Sequence, residues 1–190
     1  MQMLDACGRK IDYLRISITD RCNLRCVYCM PENGVSSISH DSLLRYEEIV
    51  RLVRLMQPLG VQKVRITGGE PMARRGCLDL VQNLHEMGGL SRIAMTTNAL
   101  LLRGRMREAR DKGLTSVNIS LDTLDPIRYR QMTRLGDVAP VLDVIDEALA
   151  CGLDVKLNAV PVRGMNENDL VSVAALAKDK PLCVRFIELM

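Results

Sequence analysis

Three cysteines lie close together near the start of the chain, in the segment SITDRCNLRCVYCMP. They are Cys22, Cys26 and Cys29, so their spacing is C-x3-C-x2-C. Cysteine thiolates favour zinc, copper(I) or iron–sulfur clusters. A structural zinc site needs four protein ligands, and the positions of His40 and His85 give no support for a zinc finger. A cubane iron–sulfur cluster held by three cysteines leaves one iron open, so the spacing favours a cluster that binds a further ligand.

Strand-like apolar runs alternate with helical periodicity along the chain, and together they predict how the cysteines are positioned. The predicted strands are Leu14–Thr19, Val64–Thr67, Ile93–Thr97, Val117–Leu121, Val155–Val160 and Cys183–Glu188. The predicted helices are Glu47–Pro58, Leu78–Met87, Arg105–Lys112, Ala139–Ala150 and Asn168–Ala177. Five βα units followed by a sixth strand predict a parallel α/β sheet with helices on its outer face. The long loop over residues 30–45 is predicted to be functional.

The predicted strands are apolar on one face and polar on the other. Val64 and Ile66 alternate with Arg65 and Thr67, for example, and most of the other strands follow the same pattern. A doubly wound sheet is covered by helices on both faces, so its strands read as continuous apolar runs. The alternation therefore favours a partial (βα)6 TIM-like barrel, with parallel strands inside, helices outside and a polar lumen.

The polar faces of the strands carry cations. Arg15, Arg65 and Lys156 point into the lumen by this pattern, and only Asp122 and Glu188 are expected to oppose them. Buried cations without partners are costly, so the pattern predicts an anionic ligand with several phosphates. The alternative is that one or two of these side chains reach solvent at the strand ends.

Composition narrows the class of protein. The chain has 190 residues, is 47% hydrophobic and carries a net charge of +3, which predicts one domain and neither nucleic-acid nor membrane binding. No apolar run approaches the roughly 20 residues that span a bilayer. The seven cysteines do not form the pattern of a secreted disulfide framework. We therefore expect a cytoplasmic protein in which Cys7, Cys77, Cys151 and Cys183 are small buried apolar residues.

Several motifs resemble one known family. The cysteine spacing, with Tyr28 before the last cysteine, resembles the signature of radical S-adenosylmethionine (SAM) enzymes, and RITGGEP resembles their glycine-rich turn. TTN, NISLD, VKLN and RFIELM follow in order at successive strand ends. With YLRISITDRCNLRC, they resemble the members of that family that cyclise GTP in molybdenum-cofactor biosynthesis. The resemblance runs from Tyr13 to Met190, and it implies a partial (βα)6 barrel.

The resemblance also implies cofactors and site residues. A [4Fe–4S] cluster would be held by the three cysteines Cys22, Cys26 and Cys29, and its open iron would bind SAM. Further contacts to SAM are implied for Tyr28, Gly69, Ser120 and Met190. Contacts to the substrate GTP are implied for Arg15, Arg65, Thr96 and Lys156, with Arg185 as a further candidate for the triphosphate. The glycines of RITGGEP would let the backbone approach the methionyl amino group.

The implied reaction begins with an electron from a reductant, which cleaves SAM to methionine and a 5′-deoxyadenosyl radical. The radical removes the ribose 3′ hydrogen of GTP, and the 3′ carbon then joins C8 of guanine. The resembled enzymes continue beyond RFIELM with a region whose three cysteines bind a second cluster. By the resemblance, residues 1–190 are the radical SAM core barrel without that C-terminal region. The resembled enzymes also carry Gly where Ala99 stands here.

Two other functions stay open at this point. One is another radical SAM enzyme, acting on a peptide or a cofactor precursor, although a peptide would not need three cations in the lumen. The other is a non-catalytic metal-binding module that holds zinc for folding. A homodimer is compatible with the sequence.

Overall fold

Six parallel strands form one sheet in the computed structural model, which describes residues 3–35 and 38–189. The strands are β1 Tyr13–Ser17, β2 Lys63–Thr67, β3 Arg92–Thr97, β4 Ser116–Ser120, β5 Asp154–Ala159 and β6 Leu182–Phe186. They lie side by side in chain order, and each pair of neighbours is parallel. Parallel neighbours need crossover connections, and the sheet confirms the predicted α/β fold.

Helices lie between successive strands. They are α1 Tyr46–Met56, α2 Cys77–Glu86, α3 Met106–Asp111, α4 Pro126–Thr133, α5 Ala139–Ala150 and α6 Leu170–Asp179. Five of them were predicted to within a few residues, whereas α4 was not. The prediction missed α4 because its segment is polar and short. Its start was nevertheless encoded, since the side chain of Asp125 accepts a hydrogen bond from the Arg128 amide and Pro126 occupies the first helical position.

The apolar strand faces form the core between the sheet and the helices. Val64, Ile66, Val117 and Ile119 are all fully buried. They cluster with buried residues of the helices, such as Leu80 of α2. This packing confirms the predicted apolar face, and it leaves the alternate positions of each strand on the lumen side. Among the described residues, no helix is both long and apolar enough to cross a membrane.

The cysteines outside the triplet do not all behave as predicted. Cys77 is buried in the core, Cys151 is half-buried, and Cys7 and Cys183 are exposed. The prediction of burial is therefore wrong for Cys7 and Cys183. Cys183 pairs with Lys156 in the sheet, so it lies on the polar face of the edge strand β6 and not on the core face.

Ala99, immediately after β3, has a backbone conformation that favours glycine. Its φ is 72° and its ψ is −25°, and the residue is fully buried. Ala99→Val is expected to lower the free energy of unfolding by at least about 2 kcal/mol, because a β-branched side chain is strained there and overfills the site. The free energy of unfolding of Ala99→Gly should stay close to that of the wild type, because the relieved backbone strain offsets the greater entropy of the unfolded chain. Urea unfolding compares them, and a Val variant as stable as wild type would contradict this account.

Candidate functional site

The three clustered cysteines lie on the connection between β1 and α1, where residues 20–30 form what we call the cysteine loop. Cys22 and Cys26 are half-buried and Cys29 is exposed. The amides of Cys29 and Met30 both donate to the Cys26 carbonyl, at 2.9 and 3.1 Å. This tight turn places two of the thiols on one short segment at the carboxyl end of the first strand, the end at which barrel enzymes carry their active sites.

Burial and neighbouring groups perturb the thiols of Cys22 and Cys26. Burial, together with Asp122, Cys22 and Cys29, raises the pKa of Cys26 to about 12. Burial also raises the pKa of Cys22, and the nearby Cys29 adds to this rise. Thiolates are the form that binds metal, so these groups favour a positively charged partner that compensates their burial. The donor set therefore fits an iron–sulfur cluster.

The arrangement differs from that of a site for one metal ion. Among the residues that the structure describes, no three His, Cys, Asp or Glu side chains form a group that could hold a single ion. A cubane cluster binds each thiolate to a different iron, so its ligands surround a space and need not meet at a point.

The glycine-rich turn after β2 packs directly on the cysteine loop. The Gly69 amide donates to the Thr19 carbonyl at 2.7 Å, and the Glu70 amide donates to the Arg21 carbonyl at 2.8 Å. A Cβ atom at Gly69 would lie 2.4 Å from the Arg21 carbonyl oxygen, and one at Gly68 would lie 2.5 Å from that of Thr19. Glycine is thus required at both positions because the two backbones are in direct contact. This reason differs from the one predicted from the sequence, namely that these glycines let the backbone approach SAM.

Glu70 organises a buried polar network that sequence reasoning missed. Its carboxylate is fully buried and accepts hydrogen bonds from the Thr97 hydroxyl at 2.8 Å and the Asn98 amide at 2.7 Å. The Asn98 side chain in turn donates to Asn23 Oδ1 at 2.8 Å and reaches Cys22 Sγ at 3.7 Å. Burial raises the pKa of Glu70, while these donors oppose the rise. The network connects the ends of β2 and β3 to the first cysteine.

A second connection runs from the cysteine loop to the end of β4. The Tyr28 hydroxyl donates to Asp122 Oδ2 at 2.7 Å, and the Val160 amide donates to Asp122 Oδ1 at 2.8 Å. The Asn166 side chain donates to the Asp122 carbonyl at 2.8 Å. Burial and the Asp122 carboxylate both raise the pKa of Tyr28. Asp122 therefore fixes Tyr28, and among the described residues it forms no direct ion pair with a lumen cation.

Cationic side chains share the lumen face of the sheet. Arg15 pairs with Arg65 in the register of β1 and β2, and Thr96, Asn118 and Lys156 lie level with one another on β3, β4 and β5. The Asn118 amide oxygen, when turned toward Arg65, accepts from its Nη1 at 2.9 Å. Residues paired in a parallel sheet point to the same side, so the structure brings the four predicted GTP residues onto one surface.

The lumen also contains charges that sequence reasoning did not include. Asp154 forms ion pairs with Arg92 and, at 3.2 Å, with Lys156 Nζ. Burial lowers the pKa of Arg65, and Arg185, Arg15 and Arg92 lower it further. Burial and neighbouring cations also lower the pKa of Lys156. The cations repel one another, so the lumen favours an anion that adds the missing negative charge.

The remaining predicted site residues take up different positions. Ser120 ends β4 and pairs with Asn158, on the same face as Asn118. Arg185 pairs with Asn158 from β6, and its Nε is buried without a hydrogen-bond partner. Gly69 is exposed beside the cysteine loop. Met190 lies outside the described residues.

The chain combines a barrel of parallel strands with three thiols on the first loop and cations in the lumen. Comparison with known protein families shows which class of enzyme has this combination. The radical SAM superfamily model matches residues 16–177, and the chain belongs to that superfamily. Membership implies a [4Fe–4S] cluster and SAM as cofactors.

Curated relatives narrow the comparison within the superfamily. The GTP 3′,8-cyclase of Pelotomaculum thermopropionicum is 51% identical over 189 residues, which are 99% of this chain and 58% of that protein. The GTP 3′,8-cyclase of Petrotoga mobilis is 50% identical over the same shares of the two chains. The chain therefore spans less than two thirds of the length of these relatives.

Solved structures support the fold alone. Methylornithine synthase superposes with a TM-score of 0.76 at 20% identity, covering 94% of this chain and 53% of that one. Streptococcus suis SuiB bound to its precursor peptide superposes with a TM-score of 0.74 at 21% identity, covering 94% of this chain and 39% of that one.

Proposed function

We propose that this chain is the core barrel of an enzyme that converts GTP to (8S)-3′,8-cyclo-7,8-dihydroguanosine 5′-triphosphate, an early step of molybdenum-cofactor biosynthesis. The observation that carries the proposal is the cationic lumen at Arg15, Arg65 and Lys156, next to a loop with three thiols. The sequence identity of 51% and 50% to two curated GTP 3′,8-cyclases, over 99% of this chain, supports the choice of substrate.

The cysteine loop is the proposed cluster site. Cys22, Cys26 and Cys29 would hold a [4Fe–4S] cluster through their thiolates and leave one iron for SAM. The bound cofactors supply a 5′-deoxyadenosyl radical after an electron arrives from a reductant. The chain's own contribution is to hold the thiols in place through Glu70 and Asn98, and to limit the access of water.

Four residues are proposed to contact SAM: Tyr28, Gly69, Ser120 and Met190. The support for Tyr28 is its hydrogen bond to Asp122, which fixes the segment between the second and third cysteines. The support for Gly69 is its exposed position beside the loop. Ser120 stands at the carboxyl end of β4, on the lumen side of the sheet.

The proposed GTP site lies deeper in the lumen. Arg15, Arg65 and Lys156 would bind the triphosphate, Thr96 lies level with Lys156, and Arg185 would supply a further donor through its unpaired Nε. Asp154 partly neutralises Lys156 and pairs with Arg92, whereas Arg15 and Arg65 form no ion pair with any described residue, so these two arginines carry the strongest attraction for the anion. Arginine and lysine clusters of this kind suit phosphate groups.

Residues 1–190 are proposed to act as the core barrel, with the second-cluster region of the relatives outside this span. A cytoplasmic location is supported by the seven cysteines, all of which are free thiols in the structure. A reductant as electron donor and a homodimer stay predictions.

Binding of GTP to the reconstituted chain tests the proposed substrate, because a peptide-modifying enzyme or a zinc-binding module would not bind GTP.

The reconstituted 190-residue chain is expected to cleave SAM slowly without productive cyclisation of GTP. In this proposal the lumen cations bind only the triphosphate, so the purine and ribose would be left mobile, and a small displacement of reacting atoms costs about a hundredfold in rate. Measuring 5′-deoxyadenosine and the cyclised nucleotide in one assay checks this. Equal amounts of both would show that residues 1–190 suffice, and no 5′-deoxyadenosine would contradict the proposed radical chemistry.

A further inference from the structure

The carboxyl end of α4 holds the cysteine loop through backbone hydrogen bonds. The Arg25 amide donates to the Thr133 carbonyl at 3.0 Å, and the Val27 amide donates to the Met132 carbonyl at 2.9 Å. These bonds fall on either side of Cys26. The last carbonyls of a helix have no partner within it, so the loop and the helix end satisfy each other's backbone groups.

Arg134 adds a side-chain contact at the same place. Its Nη1 donates to the Arg25 carbonyl at 2.7 Å and to the Met30 carbonyl at 3.1 Å. The two carbonyls lie just before Cys26 and just after Cys29, so a single guanidinium joins the two ends of the segment that carries both cysteines. Hydrogen bonds from a charged donor are stronger than neutral ones.

The backbone at Arg134 indicates that this contact is maintained against strain. Its φ is 63° and its ψ is −36°, and Ala99 is the only other non-glycine residue with positive φ among those described. Such a conformation costs free energy and persists where the surrounding structure holds it. Nearby, Leu24 is 2% exposed, and a Cβ at Gly136 would lie 3.0 Å from its side chain. Apolar packing thus secures the start of the loop against the same region.

We propose that Arg134 is a positioning residue that, with the end of α4, preforms the loop carrying Cys26 and Cys29 before iron binds. The inference rests on the proposed cluster site, but the contact itself lies within this chain. Its consequence is that the metal-free loop is already ordered, so cluster assembly does not have to supply the free energy of ordering it.

The test compares Arg134→Gly and Arg134→Lys with wild type. Glycine suits the positive φ and so separates loss of the guanidinium from backbone strain. Arg130→Ala is the matched control, because Arg130 lies one turn earlier on α4 and pairs with Asp137 in solvent. Amide hydrogen exchange of residues 22–30 in the metal-free protein is the first readout, and the rate at which a chelator removes iron from the reconstituted protein is the second.

In Arg134→Gly, the Arg25 and Val27 amides should exchange at least about tenfold faster, with β4 and β5 unchanged, and iron should be lost several times faster. Arg134→Lys should be intermediate and Arg130→Ala should match wild type. Unchanged exchange at residues 22–30 in Arg134→Gly would overturn the proposal. If wild type binds no iron, the cluster site fails, while the exchange measurement still decides the role of Arg134.

Discussion

Replacing any one of Cys22, Cys26 or Cys29 with Ala is expected to reduce cleavage of SAM to the background rate. Three thiolates are the minimum that holds the proposed cubane while leaving one iron open. The three thiols lie on one loop, and the other four cysteines of the chain, Cys7, Cys77, Cys151 and Cys183, lie outside it, so none of them can replace a lost ligand. Formation of 5′-deoxyadenosine by the reconstituted variants provides the measurement.

A matched control for this experiment is Cys151→Ala. Cys151 is half-buried after α5, on the helix side of the barrel, so its loss should leave both iron content and SAM cleavage at the wild-type level. Full cleavage in any one of the three loop variants would contradict the cluster assignment.

Arg65→Ala is expected to weaken GTP binding by at least about thirtyfold while leaving SAM cleavage without substrate largely intact. Removing one partner of a desolvated charge contact typically costs 2 kcal/mol or more, and Arg65 is the half-buried cation that Arg15, Arg92 and Arg185 surround. It contacts Asn118 and the ring of Tyr13 and makes no hydrogen bond to the cysteine loop. Titration of GTP into the reconstituted variants measures the effect.

Two further variants make the Arg65 result specific. Arg51→Ala removes the same charge from the exposed surface of α1 and should bind GTP as wild type does. Arg65→Lys keeps the charge but loses the planar fork, so its affinity should be intermediate. Loss of the cluster's colour in Arg65→Ala would show instead that Arg65 is structural.

The sheet could be predicted from the sequence because its periodicity is strict. Alternation of residues such as Val64 and Arg65 defines two faces, and parallel neighbours share faces, so the pairing of Arg15 with Arg65 follows once the strands are placed in order. The short helix α4 was missed because few of its residues are apolar, and helical patterns are recognised by their apolar stripe. Only its capping residue and proline marked it.

The details around the cysteines could not be predicted in the same way. Glu70 appeared only as part of a glycine-rich turn, and its bonds to Thr97 and Asn98 join residues 27 and 28 positions apart. The ion pairs of Asp154 depend likewise on which strands become neighbours. Contacts between distant segments depend on three-dimensional placement, which local patterns do not contain.

The most direct test of this account is the EPR spectrum of the reduced, reconstituted chain before and after addition of SAM. We expect about four irons per chain and a [4Fe–4S] signal that changes when SAM binds the open iron. A signal that SAM leaves unchanged, or a colourless chain that retains zinc instead of iron, would contradict the proposal that the three cysteines hold a cluster with an open position.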